Sequence, residues 1–412
     1  MSSPAPYNVN SDSTSNSKVQ ASAGQRVMAG KLNLPVSQAI SLPVDLKHET
    51  LIVPASSTPA FGSFFTIDIR EKNIILNNVC LQFTTSAVAG TALVGYFSPA
   101  FYWWTRIEIV QGGNVIDNVY NNSNFLLNQL FEHEVDRKAI NCGAGSYDSS
   151  ANRTAYSSQT TTNTVYCNLK TYFDECKINH LTNAHDVQLR VYMDTLANVF
   201  TVTSGVLTSC AINSCNAICK VTRLDSISSQ QRLGDMTLRN HHNVMHDMHY
   251  MTTTVLAGNT SSNIILSAVT GNIAFLMFTV RASTVGAQAW IYSQLASFAL
   301  LDSASTNLVG GQSLPASYCA NILNKDWCKS QYNTETSFGT VNNGANVYIW
   351  SFSADPISAM TGQALNSKKM TGQEQLQLNF LSALTGQVQV DIYAFAENIL
   401  EITPTSVKKM SL

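Results

Sequence analysis

Charge is what this sequence has least of. Asp, Glu, Lys and Arg make up 12% of its 412 residues, about half the usual share of roughly 25%. Ser, Thr, Asn and Gln stand in their place. A surface of hydroxyls and amides is unusual for a free cytosolic enzyme. It suits a surface buried against other copies, because desolvating a hydroxyl or an amide costs far less than desolvating a charge. A cationic excess is lacking too. The formal net charge is −2, and Lys18, Arg26 and Lys31 are the only cations before residue 40. No basic arm exists to displace counterions from a nucleic acid, so direct sequence-specific nucleic-acid binding is not expected.

Long apolar runs are also missing. "IAFLMF" (Ile273–Phe278) is far shorter than the roughly 20 residues a membrane helix needs. The polar start has no cationic segment followed by an apolar core, so a secretory leader is not expected. Nine cysteines, an odd and scattered set, read as reduced and mostly buried thiols in an intracellular setting. Asn121, Asn152 and Asn259 open N-x-S/T matches that chance explains in so Asn-rich a chain.

Signatures of catalysis are absent as well. There is no P-loop, no G-x-S-x-G and no H-E-x-x-H. "CGAGSYD" (Cys142–Asp148) lacks the strand-to-helix context of a phosphate loop and reads as loop. Cys210, Cys215 and Cys219 are close in sequence, but zinc pairs are usually spaced C-x2–4-C twice over and three cysteines supply one such pair. Glu108 and Asp391 fall on strands with no visible partner and are assigned to solvated faces. Together these gaps argue against an enzyme, and no cofactor is expected.

What is present is strand. Residues 1–42, rich in Ser, Asn and Ala, read as a flexible N-terminal arm. "FFTIDI" (Phe64–Ile69) and "VCLQFTT" (Val79–Thr85) carry β-branched and aromatic residues in alternation. "FYWWTRIEIVQGGNVIDNV" predicts a hairpin turning at Gly112-Gly113. "NSNFLLNQLFEHEVDRKA" predicts a helix with an apolar stripe of Phe125, Leu126, Leu130 and Phe131. A polar loop (141–164) and the strands "VYCNLKTYF", "VQLRVYMDT" and "AICKVTRLDSI" follow.

The second half repeats the order. "IILSAV" and "IAFLMFTVRA" predict strands. A Trp290 strand and a Gly310-Gly311 turn lead to the helical "LPASYCANILNKDW". After another polar loop, "VYIWSFSADP", "QLQLNFLSA" and "QVQVDIYAFAENILEI" close the set. "VYCNLKTYF" parallels "VYIWSFSAD", and "VQLRVYMD" parallels "VQVDIYAF". The expected fold is all-β: two consecutive eight-stranded antiparallel jelly-roll sandwiches, each with an inserted short helix and long loops. The expected boundaries are a first jelly roll at 43–230, a linker at 231–243, a second jelly roll at 244–403 and a C-terminal tail at 404–412 that frays.

"LRNHHNVMHDMHYM" (Leu238–Met251) holds half of the eight histidines. On a helix, His242, His246 and His249 would share a face and could ligate zinc. On a strand, His242 and His246 stand about 13 Å apart and His249 points the other way. "YMTTTVL" continues from them with β-branched alternation, so a linker entering a strand is the better reading. A subunit contact that charges below about pH 6.5 is the intermediate one. Trp103, Trp104, Trp327 and Trp350 are candidates for a subunit contact, set against the core role that large aromatics more often take.

The element order over residues 45–402, and the residue pattern of "WSFSADP", "TGQEQLQLNF" and "GQVQVDIYAFAENILEI", resemble the double jelly-roll major capsid proteins. That family spans tectivirus-like phages, adenoviruses, virophages, polinton-like viruses and large nucleocytoplasmic DNA viruses. The resemblance implies a homotrimer forming a pseudo-hexagonal capsomer that tiles an icosahedral virion, assembled inside the host cell. It implies partners among neighbouring capsomers, minor capsid, cement or penton proteins, and an internal membrane. Two other readings compete: a receptor- or carbohydrate-binding spike or fibre sandwich, and a cupin-like metalloenzyme built on the histidines.

Overall fold

The structure, a computed structural model, describes residues 46–72, 74–90, 93–94, 99–132, 134–145, 163–176, 186–199, 201–202, 207–224, 241–284, 292–310, 312–319, 323, 346–353, 367–403 and 406–411. The expected arm, most of the expected linker, Trp290 and Trp327 lie outside these residues.

Eight strands of the first half build its sandwich: β1 (Leu46–Pro54), β2 (Phe64–Ile69), β3 (Ile74–Thr85), β4 (Trp104–Gln111), β5 (Asn114–Tyr120), β6 (Asn163–Leu169), β7 (Val187–Met193) and β8 (Ile212–Leu224). They pair antiparallel in two sheets, ordered β1-β8-β3-β6 and β2-β7-β4-β5. The sequence dictates the facing. β2 and β7 alternate strictly, so Phe65, Ile67, Leu189 and Val191 fill the space between the sheets while Thr66 and Arg190 face out. Each such side chain contributes about 1.5–3 kcal/mol by leaving water. β4 and β5 form the predicted hairpin. Gly112 (φ 60°) and Gly113 (φ 81°) supply the two positive φ values that a tight hairpin turn demands.

The second half repeats the plan with β9 (His241–Val255), β10 (Ser261–Ile265), β11 (Thr270–Ala282), β12 (Leu295–Leu301), β13 (Leu314–Pro315), β14 (Val347–Ser351), β15 (Gln375–Phe380) and β16 (Val388–Ile402). Its sheets run β9-β16-β11-β14 and β10-β15-β12-β13. Strand for strand this is the order of the first half, so the chain is two consecutive eight-stranded jelly rolls. The helical stretch follows the fifth strand but breaks in two, α1 (Asn121–Leu130) and α2 (Glu134–Gly143).

Four sequence expectations need correcting. β9 begins at His241, three residues inside the expected linker, because His241 already pairs with Ile402. The tail does not fray: Val407–Ser411, here β17, pairs with Asn398–Ile402 of β16. It occupies the length of β16 that β11 leaves open beyond Asn272. Phe101 and Tyr102 close a helical turn (Pro99–Tyr102), and the strand starts only at Trp104. "VQLRVYMD" is a seventh strand and "VQVDIYAF" an eighth, so they are not equivalents. The true counterpart of β7 is β15.

Candidate functional site

β9 decides the histidines. His246 and His249 pair with Glu397 and Ala394 of β16, and their odd spacing on a strand sends them to opposite faces. His246 is 4% exposed. It borders a small cavity of about 30 Å³ shared with Asp117, Asn124 and Tyr172, room for a water. His249 is half-buried on the other side, with Nδ1 2.8 Å from the Ala268 carbonyl oxygen and Nε2 3.7 Å from Asp247. The backbone of His242 pairs with Glu401, and its side chain lies outside the described residues. His246 and His249 therefore do not converge. Among the described residues no three His, Cys, Asp or Glu side chains are arranged to hold a metal.

The tryptophans also need correcting as contact candidates. Trp103 and Trp104 are fully buried within one chain. Trp103 packs edge-on against Phe61 and Phe83, and Trp104 Nε1 donates to the Ala100 carbonyl oxygen at 3.2 Å. Neither offers surface to another molecule. Trp350 is half-buried against the second core.

The residues the sequence reading missed lie in the seam between the sandwiches. The outward face of sheet β9-β16-β11-β14 is covered by the first sandwich. Phe131 lies 5.9 Å from Phe275, and Tyr120 lies 5.0 Å from Tyr250, which stacks on Tyr393. Asn122 of α1 ties the two halves. Its Oδ1 accepts from the hydroxyls of Tyr102 (3.1 Å) and Tyr292 (3.2 Å), and its Nδ2 donates to Tyr393 at 2.7 Å. Next to it lies a buried ion pair. Arg281 Nε donates to Asp391 Oδ2 at 2.9 Å, and Tyr250 and Gln389 donate to Asp391 Oδ1 at 3.1 and 3.2 Å. Burial and the nearby carboxylate hold the Tyr250 and Tyr393 phenols well above their usual range.

Asp391 is thus interior, contrary to the solvated face the sequence suggested. Glu108 is partnered too, by Arg106 at 2.8 Å and the Tyr192 hydroxyl at 3.0 Å. The missed signal was "IAFLMF" and "DIYAFA". Strands buried on both faces read as continuous apolar runs rather than alternation.

A second concavity, of about 630 Å³, lies where α2 meets the outward face of β3 and β6. Asn78, Cys80, Asp136, Tyr166, Asn168 and Lys220 are among its walls. Burial pushes the Cys80 thiol up to about 11, so it is not a thiolate at neutral pH and not an activated nucleophile. Buried thiols elsewhere match the sequence reading: Cys215 and Cys219 project into the first core.

No protein-family profile matches the chain. No curated protein matches it. Solved structures do. VP54 of PBCV-1, fitted into a reconstruction of the virophage Sputnik, aligns over 89% of this chain and 97% of its own, with 14% identity and a TM-score of 0.67. The Faustovirus major capsid protein aligns over 95% and 98%, with 8% identity and a TM-score of 0.64. The Sputnik virophage structure aligns over 90% and 89%, with 11% identity and a TM-score of 0.59. The chain therefore has the double jelly-roll fold of these viral capsid proteins.

Proposed function

We propose that the chain is a major capsid protein of a DNA virus. Three copies form a pseudo-hexagonal capsomer of six sandwiches, and capsomers tile an icosahedral shell in the virion. The observation that carries this reading is the extent of the fold match. It runs through both sandwiches, over 89–95% of this chain and 97–98% of VP54 and the Faustovirus protein, so neither half is left to serve another purpose. The uncharged polar composition supports the reading, because such surfaces are buried at low cost. In this reading the role is structural rather than enzymatic, and neighbouring capsomers, minor capsid, cement or penton proteins and an internal membrane are the partners.

Light scattering with negative-stain microscopy tests the proposal. The expected result is a stable particle of three chain masses with a hexagonal outline, or sheets and shells of it. A persistent monomer at high concentration refutes it.

A further inference from the structure

We propose that His246 is a proton-operated latch between the two sandwiches: as pH falls through the ordinary histidine range, its imidazole takes up a proton and ties Asp117 of the first sandwich to Glu397 of the second. The latch lies within one chain, so its failure would leave the capsid reading intact.

Three buried groups meet at this end of the seam. His246 on β9 stands directly opposite Glu397 on β16. Residues opposite each other in a ladder project to the same side, with Cβ atoms about 4.5–5.5 Å apart. That side is the seam, because Phe395, two residues before Glu397, borders the same cavity as His246. Asp117 of β5 borders this cavity from the first sandwich, and its volume of about 30 Å³ leaves room for a water between them. His246, Glu397 and Asp117 are 4%, 7% and 6% exposed, so a charge on any of them is costly without a partner. Glu397 Oε1 is buried with no hydrogen-bond partner among the described residues. A neutral imidazole carries one N–H and an imidazolium carries two. Only the charged ring can donate to a carboxylate on each side of the seam.

The surrounding charges favour the proton. Lys170 is the one cation among the described residues that line the cavity, and Glu132 pairs with it. Asp174, in the helical turn Tyr172–Cys176 that packs on β9, accepts from the Thr171 amide at 3.1 Å. The Tyr172 phenol donates to Gln111 at 3.0 Å. The residues of α1 on the cavity, Ser123, Asn124 and Leu127, bear no charge, and β11 places Asn272 opposite Glu397. Farther along β16, Glu401 stands opposite Lys408 of β17, and Asp391 is held by Arg281. Asp247 and His249 belong to the other face of β9. Asp117, Glu397, Glu132 and Asp174 thus set four carboxylates against one ammonium, and a proton on His246 reduces that excess.

The folded chain therefore holds this proton more tightly than the unfolded chain, in which histidine titrates near about 6.5. The stability the latch contributes is whole below about pH 6.5 and is lost as pH rises above it. Below about pH 4 the carboxylates themselves protonate, and the latch loses its acceptors.

Urea unfolding of the full chain from pH 5.5 to 8.5, at one chain concentration, tests this with His246→Gln, Glu397→Gln and His249→Gln. Comparison with the wild type cancels the groups common to all. The unfolding constant of His246→Gln is expected to exceed that of the wild type by about tenfold more at pH 6 than at pH 8.5. Glu397→Gln is expected to flatten the pH profile in the same way, and His249→Gln, on the opposite face, to keep the wild-type profile. If His246→Gln does not fold, Glu397→Gln against the wild type decides alone. A difference from the wild type that is the same at pH 6 and 8.5, or that grows towards alkali, overturns the latch.

Discussion

Replacing Asp391 by Ala should be among the most damaging single changes on the seam. The Asp391 side chain is 1% exposed and that of Arg281 10%, so both charges are out of water. Their contact at 2.9 Å, with the Tyr250 hydroxyl and the Gln389 amide on the other oxygen, compensates that desolvation. Deleting Asp391 takes away the carboxylate bonded to this buried guanidinium, and breaking such a pair costs about 3–5 kcal/mol. The lost acceptor for Tyr250 adds to this, but the two effects share partners and do not sum. Arg281→Met combined with Asp391→Leu replaces the pair by apolar groups of similar size. That exchange spares the desolvation of both charges but still removes the acceptor of Tyr250, so it is expected to cost about 1–2 kcal/mol, clearly less than the single change. Urea unfolding followed by tryptophan fluorescence measures all three variants, read on the transition of the second sandwich because the halves need not unfold together. The expected signature is a single variant far less stable than the double. If Asp391→Ala costs under about 1 kcal/mol, or the double variant is as damaged as the single, the seam is not organised around this pair.

Three further outcomes are expected. Removing residues 406–412 deletes the β17 ladder, the buried Val407 and the 2.7 Å contact of Lys409 with Asp247. The second sandwich should lose about 2–4 kcal/mol, and amide exchange at Asn398–Ile402 should quicken; an unchanged melting curve would mean that the strand does not form. Alkali should destabilise the fold. Burial pushes Cys210 up to about 11, and Cys219 and Cys319 up to about 12, while unfolded thiols ionise near their ordinary value of about 8.5. The unfolded state then binds fewer protons, so stability is whole below about pH 8.5 and falls as pH rises towards 11–12, by about 1.4 kcal/mol per unit for each fully buried thiol. Urea midpoints that stay level from pH 7.5 to 10 in reductant contradict this. Lastly, the exposed Cys142 should react with a thiol reagent in the folded chain, whereas the buried Cys215 and Cys219 should react only on unfolding. Equal rates would place those two at the surface.

Local signals carried most of the sandwiches. Alternation located β2, β7 and β15, and the Gly112-Gly113 pair located a hairpin, because each depends on residues adjacent in sequence. The histidine stretch was legible for the same reason: "YMTTTVL" settles the strand, and the strand separates His246 from His249. What failed was non-local. Nothing near "SVKKMSL" announces that Lys409 meets Asp247, 162 residues earlier in the chain. Asp391 looked solvated because alternation distinguishes the two faces of a sheet but not what lies beyond them. For Trp103 and Trp104 the sequence left a contact open beside the core role that large aromatics more often take, and the core role is the one they have.

The central position of β16 also bears on when the molecule can exist during its synthesis. This strand lies between β9 and β11, yet it is the last of the sixteen to leave the ribosome. Until Val388–Ile402 has emerged, β9 and β11 have no common partner, and the face that the first sandwich covers is not yet built. The first sandwich is under no such delay, since its own eighth strand is complete at Leu224. Translation therefore produces a finished half bearing an uncovered α1 edge, which waits for more than 160 further residues before its own chain can cover it. During that interval the same edge is open to a completed second sandwich from another polysome, so translation rate and chaperone occupancy become determinants of how faithfully the two halves of one chain find each other.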